Sequence, residues 1–170
     1  MSTEIFTKYI DSPLGQLEVS ATESYLTSIL FVDTQKKPSP RKEATLYVPA
    51  IIETYQQQIQ EYFDGTRKDF DIPFQHEGTD FQKSVWEKLI TIPYGKTISY
   101  LELSRRIGNE KAIRAVGTTN GANKFNIIVP CHRVIGANGS LVGYGGDLWR
   151  KKWLLEHEAK HTGNYQTSMF

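Results

Sequence analysis

The hydrophobic period changes once along this chain, and the change divides what its two parts can fold into. Leu17, Val19 and Ala21 alternate with polar residues, which is the period of a half-buried strand. Ile5–Ile10 precedes them across the turn signal Asp11-Ser12-Pro13-Leu14-Gly15, and Tyr25–Val32 follows. Three antiparallel strands are expected. Lys36–Glu43, with Pro38 and Pro40, reads as a loop. Val48, Ile52, Tyr55, Ile59 and Tyr62 then recur at spacings of four and three, a helical stripe, which Asp64-Gly65 ends. Phe70–Phe74 is placed to return to the sheet. Gln75-His76-Glu77-Gly78 reads as a linker.

Beyond the linker, helix signals replace the alternation. Thr79-x-x-Gln82 is a capping-box pattern ahead of Phe81, Val85 and Leu89. Ile92-Pro93-Tyr94-Gly95 stops that helix. A second box, Ser99-x-x-Glu102, opens a helix through Ile107 that Gly108 closes. Asn109 is the expected cap of the next helix, Glu110 to about Thr119. Two short helices about Gly108-Asn109 make a helix-turn-helix candidate. Asn126–Val129 reads as a short buried strand, Asn138-Gly139 as a tight turn, and Asp147 as the cap of a final helix through about Ala159. The expected class is α+β: residues 1–78 an N-terminal α/β domain with an antiparallel sheet and helix, residues 79–170 a mostly helical domain with a helix-turn-helix.

Charge follows the same division. Residues 1–79 carry seven Lys and Arg against twelve Asp and Glu, a net −5; residues 80–170 carry thirteen against seven, a net +6. A basic half in a chain of net charge +1 points to a polyanion partner for that half. No apolar run approaches the roughly 18–20 residues that span a bilayer, so no membrane association is expected. The first residues lack the apolar stretch of a signal peptide, and a cytoplasmic location is expected. One cysteine excludes an internal disulfide and a multi-cysteine zinc site. Four scattered histidines give no metal-ligand spacing, so neither metal nor cofactor is expected.

On the second helix of the pair, Ala112, Ala115, Val116 and Thr119 share one face at about 100° per residue, and Lys111, Arg114, Gly117 and Thr118 the other. A long cation beside residues of little bulk suits close approach to a nucleic-acid backbone. Gly117 costs about 1 kcal/mol relative to alanine in a helix interior, which asks for a reason. An ordinary solvated face is the alternative.

Cys131 is the candidate nucleophile. A thiol is a few per cent thiolate near neutrality, and an apolar setting suppresses ionisation further unless a base or cation is close. His132 can supply the base if the backbone there is irregular, since neighbours in a straight strand face opposite ways. Glu158 lies four residues after Leu154, on the face expected to hold Leu148, Leu154 and Leu155. An inward carboxylate needs a partner; His132, Arg133 or backbone amides are the options.

Ile127-Ile128-Val129-Pro130-Cys131-His132-Arg133-Val134-Ile135-Gly136 resembles the active-site signature of the O6-alkylguanine-DNA alkyltransferases. Arg114-Ala115-Val116-Gly117, Asn123, Gly143-Tyr144-Gly145-Gly146 and Trp153-Leu154-Leu155-x-His157-Glu158 stand in that family's order. The likeness is close over 80–160 and loose over 1–79. It implies a ribonuclease H-like N-terminal domain and a monomer that binds double-stranded DNA containing O6-alkylguanine. It also implies one irreversible transfer of the alkyl group from O6-alkylguanine to Cys131, and leaves open whether O4-alkylthymine is a second substrate. By the resemblance, His132 relays the thiol proton through a water, Glu158 polarises the histidine, and Tyr100 helps rotate the nucleotide and protonates the leaving guanine. Arg114 enters the stack where the base was extruded, and Gly117 and Thr118 lie against the minor groove. The helix pair by itself suggests the major groove. Asn123 braces the turn, and Val134, Tyr144 and Gly145 line the pocket. Lys124 stands where the family has proline after the asparagine, and Asp147 where glycine is common. Two other readings use the same residues: a DNA-binding damage sensor or regulator without chemistry, and a cysteine hydrolase on Cys131 and His132.

Overall fold

The computed structural model describes residues 4–34, 41–141, 144 and 147–162. It is an α+β structure in two compact units, Met1–His76 and Glu77–Phe170.

In the first unit β1 (Phe6–Ile10), β2 (Leu17–Ala21) and β3 (Leu26–Phe31) form an antiparallel sheet in that order, with Lys8 opposite Val19 and Val19 opposite Ile29. The period of two in β2 predicts burial of one face, but all five of its residues are buried. The polar ones are covered because each is satisfied: Glu18 accepts from the Tyr9 hydroxyl at 2.9 Å and the Lys42 amide at 3.2 Å, and Ser20 shares a hydrogen bond with Thr7 at 2.9 Å. Helix α1 (Ala50–Asp64) buries Ile52, Tyr55, Ile59 and Tyr62, the expected stripe. Gly65, at φ 84°, ends it by returning its amide to the carbonyls of Glu61 and Tyr62, a conformation that only glycine adopts without strain. Phe74 reaches the sheet as a single parallel bridge to Leu26.

In the second unit α2 (Asp80–Ile90) is capped on both arms of the Thr79/Gln82 box. Its Trp86 donates from the indole nitrogen to the Thr119 carbonyl at 3.0 Å, fastening it to α4 (Ile113–Gly121). Chain segment β4 (Ile98–Ser99) leads directly into α3 (Tyr100–Arg106), whose Ser99 cap accepts from the Glu102 amide. β4 pairs in parallel with β5 (Val134–Ile135). This two-residue ladder sets the start of α3 beside the chain that has just passed Cys131. Helix α5 (Leu148–His161) closes the unit. Among the described residues no helix is long and apolar enough to cross a membrane.

Further local expectations fail. The Ser99/Glu102 box closes on one arm only, because the Glu102 carboxylate accepts from Arg106 at 3.2 Å. Residues 126–128 form a turn and Val129 a bend rather than a strand, because side-chain hydrogen bonds capture the carbonyls on either side of Ile127. The helix expected from Glu110 begins as a 3₁₀ turn (Glu110–Ala112), and Asn109 makes no side-chain cap. Ala115 is exposed: the buried stripe of α4 is centred on Val116 with Thr119 and Asn120 beside it, which leaves Ala115 at its edge. Asp147 caps α5 with no side-chain hydrogen bond; its carboxylate turns to Arg150 at 3.4 Å. Leu148 is 47% exposed. Helix side chains lean toward the N-terminus, so a first-turn leucine leans off the end of the helix.

Candidate active site

Two consecutive tight turns deliver Cys131. The Ile128 amide donates to the Asn126 carbonyl at 2.9 Å across Ile127, a γ-turn whose central φ is 74°. A β-branched residue is rarely found there. The Cys131 amide then donates to the Val129 carbonyl at 2.7 Å across Pro130, at φ −80° and ψ 62°, the inverse γ-turn geometry. A 3₁₀ turn, Cys131–Arg133, follows. Asn123 holds this backbone: its amide nitrogen donates to the carbonyls of Phe125 at 3.2 Å and Val129 at 2.9 Å, while its oxygen accepts from the Phe125 amide at 2.9 Å. The same nitrogen stands 3.3 Å from the Cys131 sulfur. The irregular backbone that a Cys131–His132 pairing requires is therefore present.

Cys131, His132 and Glu158 are all buried. Glu158 accepts from His132 Nε2 at 2.7 Å, from Arg133 Nε at 2.8 Å and Nη2 at 3.1 Å, and from the Gly95 amide at 3.2 Å. All three partner types anticipated for an inward carboxylate converge on it. Arg133 is completed by Nη1 donating to the Ile92 carbonyl at 2.7 Å. Burial pushes the Glu158 carboxyl up, but His132 and Arg133 outweigh it and hold the group well below the usual carboxylate range. An ionised carboxylate only accepts, so the hydrogen of His132 sits on Nε2. Burial keeps the imidazole neutral, lowering its pKa against the pull of Glu158. Nδ1 is then a lone pair, and it is buried with no hydrogen-bond partner among the described residues. The site thus holds a fixed proton acceptor one residue from the thiol.

Burial raises the Cys131 pKa. The Asn123 amide, the positive charge of Lys151 and the backbone amides of Cys131 and His132 pull it down. Lys151, fully buried on α5, donates to the Val134 carbonyl at 2.5 Å; burial lowers its pKa to about 8. Its ammonium stands 5.8 Å from the centre of the Tyr100 ring. Tyr100 is half-buried, and burial and the charge of Cys131 push its hydroxyl up to about 12 while a hydrogen bond with Asn120 pulls it down.

Arg114, Lys111 and Thr118 are exposed on α4. A Cβ on Gly117 would meet nothing closer than the Tyr100 ring at 3.9 Å, ordinary contact, so internal packing does not require glycine there. The face carrying Arg114 runs through Gly117 to the edge of Tyr100. Val134 and Tyr144 are buried; Gly145 lies outside the described residues.

The sequence reading passed over Lys151 and Asn120 and left Arg133 as one option among several. Lys151 stands seven residues before Glu158, two helical turns along one face, so the spacing that found Glu158 also reaches Lys151. Asn120 stands four residues after Val116 on the buried stripe.

Residues 5–76 match the model of the 6-O-methylguanine DNA methyltransferase ribonuclease-like domain. Residues 80–160 match that of the 6-O-methylguanine DNA methyltransferase DNA binding domain. The methylated-DNA–protein-cysteine methyltransferase of Mycolicibacterium paratuberculosis is 44% identical over 153 residues, covering 90% of this chain and 92% of its own. That of Methanosarcina acetivorans is 43% identical over 148 residues, covering 87% and 94%. The crystal structure of Mycobacterium tuberculosis OGT in complex with DNA superposes with a TM-score of 0.83 at 44% identity, covering 92% of this chain and 94% of that one.

Proposed function

The chain belongs to the 6-O-methylguanine DNA methyltransferase family, and from that premise we propose that Cys131 takes the alkyl group of O6-alkylguanine in duplex DNA and keeps it. The reaction is direct reversal of DNA damage, one transfer per chain. The single observation that carries the reading is the hydrogen-bonded set around Glu158. It fixes the His132 proton on Nε2 and leaves Nδ1 a buried lone pair one residue from a buried thiol.

The sulfur–hydrogen bond breaks as Nδ1 takes the proton through one water. The thiolate, steadied by Asn123, Lys151 and the backbone amides, attacks the alkyl carbon. The sulfur–carbon bond forms as the carbon–O6 bond breaks. The departing guanine takes the Tyr100 hydroxyl hydrogen, and the phenolate regains a proton from His132 through solvent. Glu158 holds the imidazolium in the interval.

A base inside a duplex cannot reach a buried sulfur, so it is rotated out at a cost of a few kcal/mol. Arg114, exposed on α4, fills the gap. Gly117 and Thr118 allow that helix close to the groove, and Lys111 meets phosphate. Val134 and Tyr144 flank the base. The protein acts as a monomer in the cytoplasm.

The test is intact and peptide mass after incubation with a duplex holding one O6-methylguanine. The reading expects one methyl on the Cys131 peptide and none with Cys131→Ser, which still binds the duplex. Duplex binding without methylation of the wild type would make the chain a damage sensor.

A further inference from the structure

His132 does not have Glu158 to itself. Oε2 of the carboxylate accepts from His132 Nε2 at 2.7 Å and from Arg133 Nη2 at 3.1 Å, while Oε1 accepts from Arg133 Nε at 2.8 Å and the Gly95 amide at 3.2 Å. One guanidinium thus lies along both oxygens. Arg133 is itself buried and anchored: Nη1 donates to the Ile92 carbonyl at 2.7 Å, and its central carbon stands 5.6 Å from the centre of the Tyr94 ring. Ile92 and Gly95 belong to the turn that stops α2, so one short segment holds the arginine by a carbonyl and the glutamate by an amide.

A histidine alone with a buried carboxylate tends to take a second proton and become its counter-ion. Arg133 removes the reason to do so. A guanidinium keeps its charge at any accessible pH and meets a carboxylate with two parallel hydrogen bonds, so the pair is neutral before His132 is counted. A proton added to His132 would set a second positive charge on one buried carboxylate. Burial does most to lower the His132 pKa; Glu158 pulls it up, and the charges of Arg133 and Lys151 push it down. The remaining titratable groups around the cluster are Cys131 on the same 3₁₀ turn, Tyr94 after α2 and Tyr100 on α3. Burial above all pushes both tyrosine hydroxyls up to about 12, so neither changes charge near neutrality.

We propose that Arg133, anchored on the Ile92 carbonyl, is a positioning residue that neutralises Glu158 and so keeps His132 uncharged and open to the thiol proton. This rests on the alkyl-transfer reading above. The proton that leaves sulfur through one water then meets an unprotonated Nδ1. Without Arg133, the charge of Glu158 would fall on His132 alone, the imidazole would hold two protons at rest, and the relay would be blocked until the pH rose.

Two readouts test it. Nitrogen NMR of histidine-labelled protein, with the His132 signals assigned through His132→Gln, reports charge and tautomer without any reaction. At pH 6.5, where an ordinary histidine is about half protonated, wild-type His132 is expected to be neutral with its hydrogen on Nε2. Arg133→Met, measured where melts show it folded, is expected to raise the His132 pKa by roughly one to three units. Single-turnover transfer from duplex O6-methylguanine should follow. Its acidic limb moves up by the same amount, so that on the limb the variant is roughly tenfold or more slower than wild type, and the difference closes as the pH rises. Burial lowers the Lys151 pKa to about 8 in wild type and variant alike, so the ratio of the two rates at each pH isolates Arg133. Arg133→Lys restores the charge and is expected to bring the limb most of the way back. A wild-type His132 that is charged at pH 6.5 would overturn the proposal. A limb that stays in place while the rate falls by one factor at every pH would do the same, and would make Arg133 a brace for the fold. The expected titration of His132 with no methyl transfer from duplex would instead remove the alkyl-transfer reading on which the proposal stands.

Discussion

Replacing Glu158 by Gln keeps the shape of the side chain and removes the charge that four hydrogen bonds share. Gln offers one acceptor and two donors where the site presents only donors: His132 Nε2, Arg133 Nε and Nη2, and the Gly95 amide. If its oxygen stays with Arg133, its nitrogen faces His132 and the imidazole must turn its lone pair that way. The hydrogen moves to Nδ1, which can no longer accept a proton from the thiol. A forced tautomer of this kind costs a Ser-His-Asp hydrolase roughly 10⁴-fold in rate, and loss of a general base costs roughly 10²–10⁴-fold. Single-turnover transfer should therefore slow at least 100-fold. The variant also leaves the buried Arg133 guanidinium without its counter-charge. Breaking a buried pair from one side costs about 3–5 kcal/mol, or roughly 10 °C in melting temperature for a chain of this size. Arg133→Met separates the two effects, since it destabilises the same cluster but leaves Glu158 on His132. It should lose stability yet transfer faster than Glu158→Gln at a temperature where both are folded. Stopped-flow transfer and thermal melts read the two quantities. A folded Glu158→Gln variant that transfers at the wild-type rate would refute the fixed-tautomer relay.

Three further outcomes follow from the same structure. Gly117→Ala should stabilise α4 by up to about 1 kcal/mol, because its Cβ meets only ordinary contact, whereas Gly117→Leu should weaken duplex binding without slowing reaction with free O6-benzylguanine; filter binding and mass spectrometry read the pair. Arg114→Ala should lose far more rate on duplex than on free base, and equal loss on both would give Arg114 a role at the sulfur. Stability should fall progressively on acidification. Burial holds His132 below the usual histidine value and His76 down to about 4, and the pairing with His132 and Arg133 overrides burial to depress Glu158. In each case the unfolded chain binds a proton first, so the loss begins below about pH 6.5 for the histidines and about pH 4.5 for the glutamate. Urea titrations at stepped pH check the slope.

Much of the site was legible because helix arithmetic is local. Spacing from Leu154 alone sets Glu158 on the inner face of α5 and names its possible partners. The Thr79/Gln82 box formed both its bonds. What escaped depends on atoms distant in sequence. Nothing in Asn126–Val129 announces a turn; the Asn123 amide, holding the Phe125 and Val129 carbonyls, makes the strand impossible. Lys151 and Arg150 are both fully buried, against the preference of their side chains. For Lys151 the Val134 carbonyl supplies the reason, and for Arg150 the Asp147 carboxylate and the Trp149 ring at 4.4 Å. A single helical face through Ala112, Ala115, Val116 and Thr119 fails because Ala112 lies in a 3₁₀ turn and the buried stripe of α4 is centred on Val116.

The proposed reaction consumes Cys131 with the group it removes. A thioether is not hydrolysed under mild conditions, and this chain has no second cysteine to resolve it. Titration of a fixed amount of protein with excess duplex carrying radiolabelled O6-methylguanine measures this directly. A plateau at one methyl per chain is expected, all of it on Cys131, with no slow second phase. Turnover beyond that ratio, or label released as methanol, would contradict it.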